Sequence, residues 1–178
     1  MTTLFISDLH LEAERPDIGE QFIRFLQTDA TEAEALYILG DLFEAWVGDD
    51  DPNAYYAIIK LAMRKLADSG IPVYFMHGNR DFMIGTKFAN ETGVKILKDP
   101  YPVRMYGQKA LLCHGDAMCT DDVQYQRVRS MTRDPVWQAS MLTKPLKERL
   151  RIAEEARRQS LEQTLNLSMT SWMSTRVQ

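Results

Sequence analysis

The strongest constraint on this chain is a repeated pattern of an apolar run, a polar stop and a longer amphipathic stretch. "TLFIS" halts at Asp8, "LYIL" halts at Gly40-Asp41, and "IPVYF" runs through Met76 into "HGNRD". Short apolar runs rich in β-branched and aromatic residues, bounded by polar punctuation, read as buried strands. Between the first two, "DIGEQFIRFLQTDA" places Phe22, Ile23, Phe25 and Leu26 at helical spacing. "NAYYAIIKLAMRKLADSG" follows the second run and closes on Gly70, and "MIGTKFANETG" follows the third and also ends in glycine, the residue that most readily terminates a helix. "VRMYGQKALLCHGD" predicts a hairpin turned at Tyr106-Gly107 and a fourth strand that ends in His114-Gly115-Asp116. Beyond residue 120 the pattern is helical. Strands alternating with helices predict an α/β layered fold.

The four strand ends carry one kind of chemistry. Asp8-x-His10, Gly40-Asp41, Gly78-Asn79 and His114-Gly115-Asp116 supply carboxylates, imidazoles and an amide. Such groups are ligands for Mn, Fe, Zn or Mg. Ligands of open α/β sheets collect at the carboxyl ends of the strands, so residues separated by 30 to 40 positions in the sequence should meet at one edge. Asp-x-His sets both side chains on one face of an extended segment, and each glycine permits a sharp turn or a close approach. Singly, each piece has a plain alternative: Asp after glycine caps a helix, Gly-Asn makes a turn, and a lone histidine serves a core. The conjunction of all four points to a metal site.

Composition limits the rest. The 178 residues suffice for one domain with a real core. The net charge of −4 gives no basis for nucleic-acid binding. No apolar run approaches the roughly 18 residues needed to span a bilayer. Two cysteines, Cys113 and Cys119, and an N-terminus without a secretory signal favour a reducing, cytoplasmic setting. The charge is uneven: residues 127–158 carry a net +5 and the remainder −9, which suggests two surfaces with different partners. Oligomeric state is not legible in the sequence.

"DLH", "GDLF", "GNRD" and "HGD" resemble the motifs of the calcineurin-like metallophosphoesterases. The longer stretches "LYILGDLFEAWVGDDD", "HGNRDFMIGTKFA" and "CHGDAMCTDDVQYQ" are similar to the UDP-2,3-diacylglucosamine diphosphatase branch of that family, over residues 1 to about 170. The resemblance implies a layered α/β/β/α sandwich with a helical lid insertion: a core at residues 1–122, a lid at 123–168 and an aberrant tail at 169–178. It implies two Mn²⁺ per site, with Asp8 and His10 on the first, Asn79 and His114 on the second, and Asp41 bridging. Asp41, Asn79, Arg80 and His114 would carry the catalysis. Arg80 stands where the wider family has histidine, and a guanidinium can fork two phosphate oxygens. Asp81 is expected to support its loop, and His77 to pack or to orient a ligand. The reaction implied is hydrolysis at the α-phosphorus of UDP-2,3-diacylglucosamine, giving UMP and 2,3-diacylglucosamine 1-phosphate (lipid X) in lipid A biosynthesis. Asn79, Arg80, Asp122 and Tyr125 would contact substrate, although Asp122 also suits a helix start, where acids favour the positive dipole end. A generic phosphodiesterase and a non-catalytic binder of nucleotide lipid are the alternatives.

In the basic segment, Trp137, Met141, Leu142, Leu146 and Leu150 alternate with Lys144, Lys147, Arg149 and Arg151. An ordinary solvated helical pair is the plain reading. A basic helical cap with apolar faces also suits an acylated, phosphorylated ligand and peripheral attachment to an anionic membrane, here the cytoplasmic face of an inner membrane. By resemblance, Arg157, Ser160 and Thr164 would line the lid. The family pattern continues into a Gly-His-x-His motif, while this sequence has no histidine after His114 and diverges at "SWMSTRVQ". Core strands beyond the lid are therefore expected to be missing. An out-of-frame tail is one account of the divergence; with one ligand fewer per metal, lower metal affinity and weak or lost turnover are expected.

Overall fold

The computed structural model describes the backbone of residues 2–174 and the side chains of residues 2–160. Strand β1 (Thr3–Ile6) is followed by helix α1 (Pro16–Gln27), a 3-10 turn at Asp29–Glu32, β2 (Ala35–Leu39) and α2 (Ala54–Asp68). Next come β3 (Val73–Met76), α3 (Thr86–Thr92) and β4 (Lys95–Leu97). These four strands form one parallel sheet in the order β1-β2-β3-β4. β5 (Tyr101–Met105) and β6 (Gln108–Leu112) form a separate antiparallel hairpin. Three helices complete the described chain: α4 (Val123–Thr132), α5 (Pro135–Leu142) and α6 (Leu146–Ser174).

Local chemistry sets the element ends. α1 opens on Pro16, whose fixed φ suits the first helical position. The Asn53, Asp122 and Asp134 side chains cap α2, α4 and α5 by accepting backbone N–H donors. The hairpin turns where the sequence puts it, at Tyr106 (φ 48°) and Gly107 (φ 80°), the pair of positive φ angles a tight two-residue hairpin requires.

Alternation along the strands builds two apolar layers. Leu36, Ile38, Val73 and Phe75 point to one face, where Phe22, Leu26, Ile59, Met63 and Phe88 from the helices bury them. Tyr37, Tyr74 and Met76 point to the other, where Leu112, Tyr101 and Val103 of the hairpin meet them. Burying a side chain such as Phe75 contributes about 1.5–3 kcal/mol. The architecture is α/β as expected, with helices, a parallel sheet and a hairpin as successive layers.

Two strand expectations need correction. β4 lies within a three-residue run after Gly93 that is too short for periodicity to reveal. The strand before His114 is β6, which belongs to the hairpin and not to the parallel sheet; an apolar run alone does not distinguish the two. α6 continues without interruption past residue 168 to Ser174. The side chains of Thr164 and of the 169–178 segment lie outside the described residues.

Candidate metal centre

Two loops leave the parallel sheet side by side and pair as they go. Asp8 N–H donates to Gly40 O at 3.1 Å, His10 N–H to Asp41 O at 3.0 Å, and Leu11 N–H to Leu42 O at 2.8 Å; Glu44 N–H returns the bond to Leu11 O at 3.1 Å. This short zipper fixes the register of Asp8 and His10 against Asp41. The ligand atoms of these three residues all lie within 4.8 Å of one another. All three have positive φ: 57° at Asp8, 50° at His10 and 53° at Asp41. Left-handed backbone in non-glycine residues costs free energy and concentrates at functional sites.

The third loop, after β3, reaches the same point. Arg80 N–H donates to Asp41 Oδ1 at 2.9 Å. The approach is possible because residue 78 is glycine: a Cβ there would lie 2.0 Å from Asp41 Oδ1 and 2.2 Å from its backbone nitrogen. Asp81 is fully buried and spans both loops, accepting from Leu42 N at 2.8 Å and Gly78 N at 2.8 Å. Burial pushes its carboxyl up to about 6. It supports the loops and faces backbone, as expected. His77 Nε2–H donates to Ile84 O at 2.8 Å and its ring meets Phe75 edge-on.

His114 brings in the hairpin. Its Nε2 stands 3.8 Å from Asp41 Oδ2, while His10 Nε2 stands 3.9 Å from the same oxygen. Asp41 therefore sits between two histidines. Because a carbonyl can only accept, the contact of 2.8 Å between His114 Nδ1 and Leu39 O places the proton on Nδ1 and leaves the Nε2 lone pair facing Asp41. The Asn79 carboxamide lies against both: turned one way its nitrogen donates to Asp41 Oδ2 at 2.6 Å, turned the other its oxygen faces His114 Nε2 at 3.3 Å. Burial raises the Asp41 carboxyl above its ordinary range, partly offset by the Arg80 N–H and the two histidines. A buried carboxylate flanked by imidazole lone pairs and an amide oxygen is a set of acceptors that a divalent cation satisfies. On donor chemistry Asp8, His10 and Asp41 fit a divalent cation, with Asn79 and His114 against the same carboxylate.

Asn79 also lines a cavity of about 430 Å³. Arg80, Glu44 and Arg157 are among its polar lining residues, and Trp46, Phe82, Met83, Val128, Trp137, Met141 and Ile152 supply apolar wall. Ser160, Asp122 and Tyr125 also border it. Asp122 is engaged in capping, accepting from Tyr125 N at 2.9 Å, so the helix-start role stands alongside its place at the cavity. The Tyr125 hydroxyl donates to Asp116 Oδ2 at 2.9 Å, and burial with that bond raises its pKa.

Helices α4 and α6 are fastened to the loops at the sheet edge by arginines that sequence reasoning missed or misjudged. Arg129 pairs with both Asp99 and Asp116 at 2.9 Å. Arg133 donates to Gly78 O at 2.9 Å and His77 O at 3.3 Å. Arg149, expected on a solvated face, is 2% exposed. A helix-borne arginine carries no local mark of burial; the only hint was the run Asp49-Asp50-Asp51 needing a partner. Glu44, also missed, receives His10 Nδ1 at 2.7 Å and Arg157 at 3.2 Å.

Comparison with known proteins supplies the family. A UDP-2,3-diacylglucosamine hydrolase of Stenotrophomonas maltophilia is 53% identical over 160 residues, covering 90% of this chain and 64% of that protein. One from Xanthomonas axonopodis pv. citri is 54% identical over 157 residues, covering 88% and 64%. The chain thus spans about 64% of the length of these curated relatives. A solved protein of unknown function from Aquifex aeolicus is 21% identical with a TM-score of 0.45, over 72% of this chain and 70% of its own, a likeness too weak to carry an argument. The model of the calcineurin-like phosphoesterases matches residues 1–154, and this chain belongs to that family.

Proposed function

We propose that the protein hydrolyses UDP-2,3-diacylglucosamine, breaking the bond between the α-phosphorus and the bridging oxygen of the diphosphate. Water supplies the oxygen that joins the α-phosphorus of UMP, and 2,3-diacylglucosamine 1-phosphate departs with the bridging oxygen. Asp8, His10, Asp41, Asn79 and His114 would hold two divalent cations, Mn²⁺ by preference. Bound cations would polarise the phosphoryl oxygens and lower the pKa of water.

One juxtaposition supports this reading beyond the names of the relatives. Asn79, the donor next to Asp41 and His114, lines a cavity together with Arg80, Arg129, Arg133 and Arg157 and with apolar side chains. Arg80 Nε is buried without a hydrogen-bond partner, and its guanidinium, next to Asn79, would fork phosphate oxygens. Arg157 on α6 approaches the same Glu44 oxygen as Arg80. The walls contributed by Trp46, Phe82, Met141 and Ile152 suit acyl chains, each buried methylene contributing about 0.8 kcal/mol. Val128, Met131, Val136, Leu142 and Leu150 of the lid are exposed in a segment of net +5, which suits a peripheral protein on an anionic membrane, here the cytoplasmic leaflet. No helix among the described residues is long and apolar enough to cross a membrane.

The test is UMP release from diacylated UDP-glucosamine in Mn²⁺, in EDTA, and against an aryl phosphodiester. Mn²⁺-dependent release with a strong preference for the acylated substrate is expected. Binding without release would favour a non-catalytic binder, and equal cleavage of the diester a generic phosphodiesterase. Sedimentation with phosphatidylglycerol vesicles, lost in high salt, checks the membrane surface.

A further inference from the structure

Glu44 lies on the loop after β2, five residues beyond Leu39, where the bond from its N–H to Leu11 O registers it against the Asp8–Leu11 loop. Its side chain is 17% exposed. One oxygen, Oε2, meets His10 Nδ1 at 2.7 Å. The other, Oε1, meets Arg157 Nε at 3.2 Å and Arg80 Nη1 at 3.8 Å. The first contact lies on the side of the imidazole away from Asp41, because His10 Nε2 is the nitrogen that faces Asp41 Oδ2.

We propose that Glu44 is a positioning residue: its carboxylate holds His10 as the Nδ1–H tautomer, aims the Nε2 lone pair at the cation shared with Asp8 and Asp41, and ties that imidazole to the lid through Arg157. This rests on the metal-site reading above. The physical reason is reciprocal. A neutral imidazole has one proton and one lone pair, and the partner of one nitrogen decides which nitrogen can ligate. A carboxylate accepts that proton strongly, fixes the ring orientation and makes the opposite nitrogen more basic. His114 achieves the same polarity with the backbone carbonyl of Leu39. His10 cannot, since its loop leaves no carbonyl at its Nδ1, and a side chain takes that place. The two arginines hold Oε1, so the carboxylate cannot swing away from the ring without breaking ion pairs to α6 and to the phosphate-facing Arg80. The placement of α6 and the orientation of His10 are thereby joined through one side chain.

The experiment uses the three histidines as probes. In metal-free protein above pH 8, long-range ¹H–¹⁵N spectra report the tautomer of each ring, with His77 (Nε2–H to Ile84 O) and His114 (Nδ1–H to Leu39 O) as internal references. Wild-type His10 is expected as the Nδ1–H form. Glu44→Ala should move it towards the Nε2–H form that free imidazole prefers, with His77 and His114 unmoved, and should lower Mn²⁺ affinity by about 10- to 100-fold. Glu44→Gln, whose carbonyl oxygen can still accept from Nδ1, should keep the tautomer and recover most of the affinity; it also serves if the alanine variant does not fold. An unchanged His10 tautomer in folded Glu44→Ala overturns the proposal, and so does unchanged Mn²⁺ affinity. A wild-type protein that binds no Mn²⁺, or that binds it and releases no UMP, defeats the proposed hydrolase instead and leaves the tautomer result readable.

Discussion

Arg149 and Asp50, 99 positions apart, are locked carboxylate to guanidinium: Nη1 donates to Oδ1 at 2.8 Å and Nη2 donates to Oδ2. Nη1 also donates to Val47 O, and Nε donates to Lys144 O at 3.1 Å. Gly48, at φ +140°, lets the loop close on the guanidinium; a Cβ there would lie 2.2 Å from Nη1. The pair fastens the first turn of α6 to the loop that carries Trp46 and Val47 into the cavity wall. Replacing Arg149 with Met removes the donors and leaves Val47 O buried. Breaking a buried ion pair costs up to about 3–5 kcal/mol, and because the Asp50 side chain is 60% exposed, a loss nearer to ~2–3 kcal/mol is expected. Urea denaturation should show a lower midpoint at unchanged slope, and Asp50→Asn a smaller drop.

The same pair has a pH signature. The guanidinium of Arg149 holds the Asp50 carboxyl below its usual range. With the folded pKa lower than the unfolded one, the stabilisation is fully present above the ordinary carboxylate value of about 4 and is lost as pH falls through the lowered value. Asp50→Asn should therefore remove part of the stability loss seen on acidification below about pH 4, while leaving the profile between pH 6 and 8 unchanged. Thermal melts of both proteins across that range check it; parallel profiles in acid would refute the assignment.

How much of this was legible in the sequence depends on range. Local chemistry was legible: the Tyr106-Gly107 turn, the helix start at Asp122, and the apolar runs that form β1, β2 and β3. The convergence of Asp8, His10, Asp41 and Asn79 was legible because strand ends of a parallel sheet share an edge; His114 joins them from the antiparallel hairpin, which that argument did not foresee. Arg129, Arg133, Arg149 and Glu44 were not legible. Each is a charged residue whose role is set by partners on other elements, from Asp116 for Arg129 to Arg157 for Glu44, and nothing in its own helical or loop pattern differs from a solvated position. β4 failed for a different reason, being too short to show a period.

Gly78 is where the two central loops touch. The separation of 2.0 Å between an added Cβ and Asp41 Oδ1 leaves no space for a side chain, and the next obstacle is the Asp41 backbone nitrogen at 2.2 Å. Gly78→Ala must push the Asn79 loop away from Asp41, breaking the Arg80 N–H bond of 2.9 Å. Overpacking of this kind costs about 1–3 kcal/mol. Mn²⁺ affinity, measured by calorimetry, should fall by at least about 100-fold, since both Asn79 and Asp41 are displaced. Gly107→Ala is the control: nothing lies within 4 Å of its added Cβ, so it should leave metal affinity unchanged while slightly destabilising the hairpin. Wild-type affinity in folded Gly78→Ala would show that the Asn79 loop is no part of the metal site.

Ala153 tests the cavity separately from the metals. It sits on α6 among the lining residues, one helical turn after Arg149, with Ile152 and Ala156 beside it. Replacing it with Trp fills part of a space of about 430 Å³ with a rigid apolar group, far from Asp8, His10 and Asp41 in the sequence and on a different element. If the walls receive acyl chains, the substitution removes room for them while leaving the donor cluster intact. A misfit in an apolar pocket is worth about 1–3 kcal/mol, or 10- to 200-fold in specificity. kcat/KM for the diacylated nucleotide should fall by that factor, chiefly through KM, and Mn²⁺ affinity should stay at the wild-type value. Hydrolysis of a small aryl phosphodiester, if the protein supports any, should not change. Equal losses on both substrates would instead mean that the lid helix had shifted against Glu44 and the metal loops, and would remove the cavity from the substrate site.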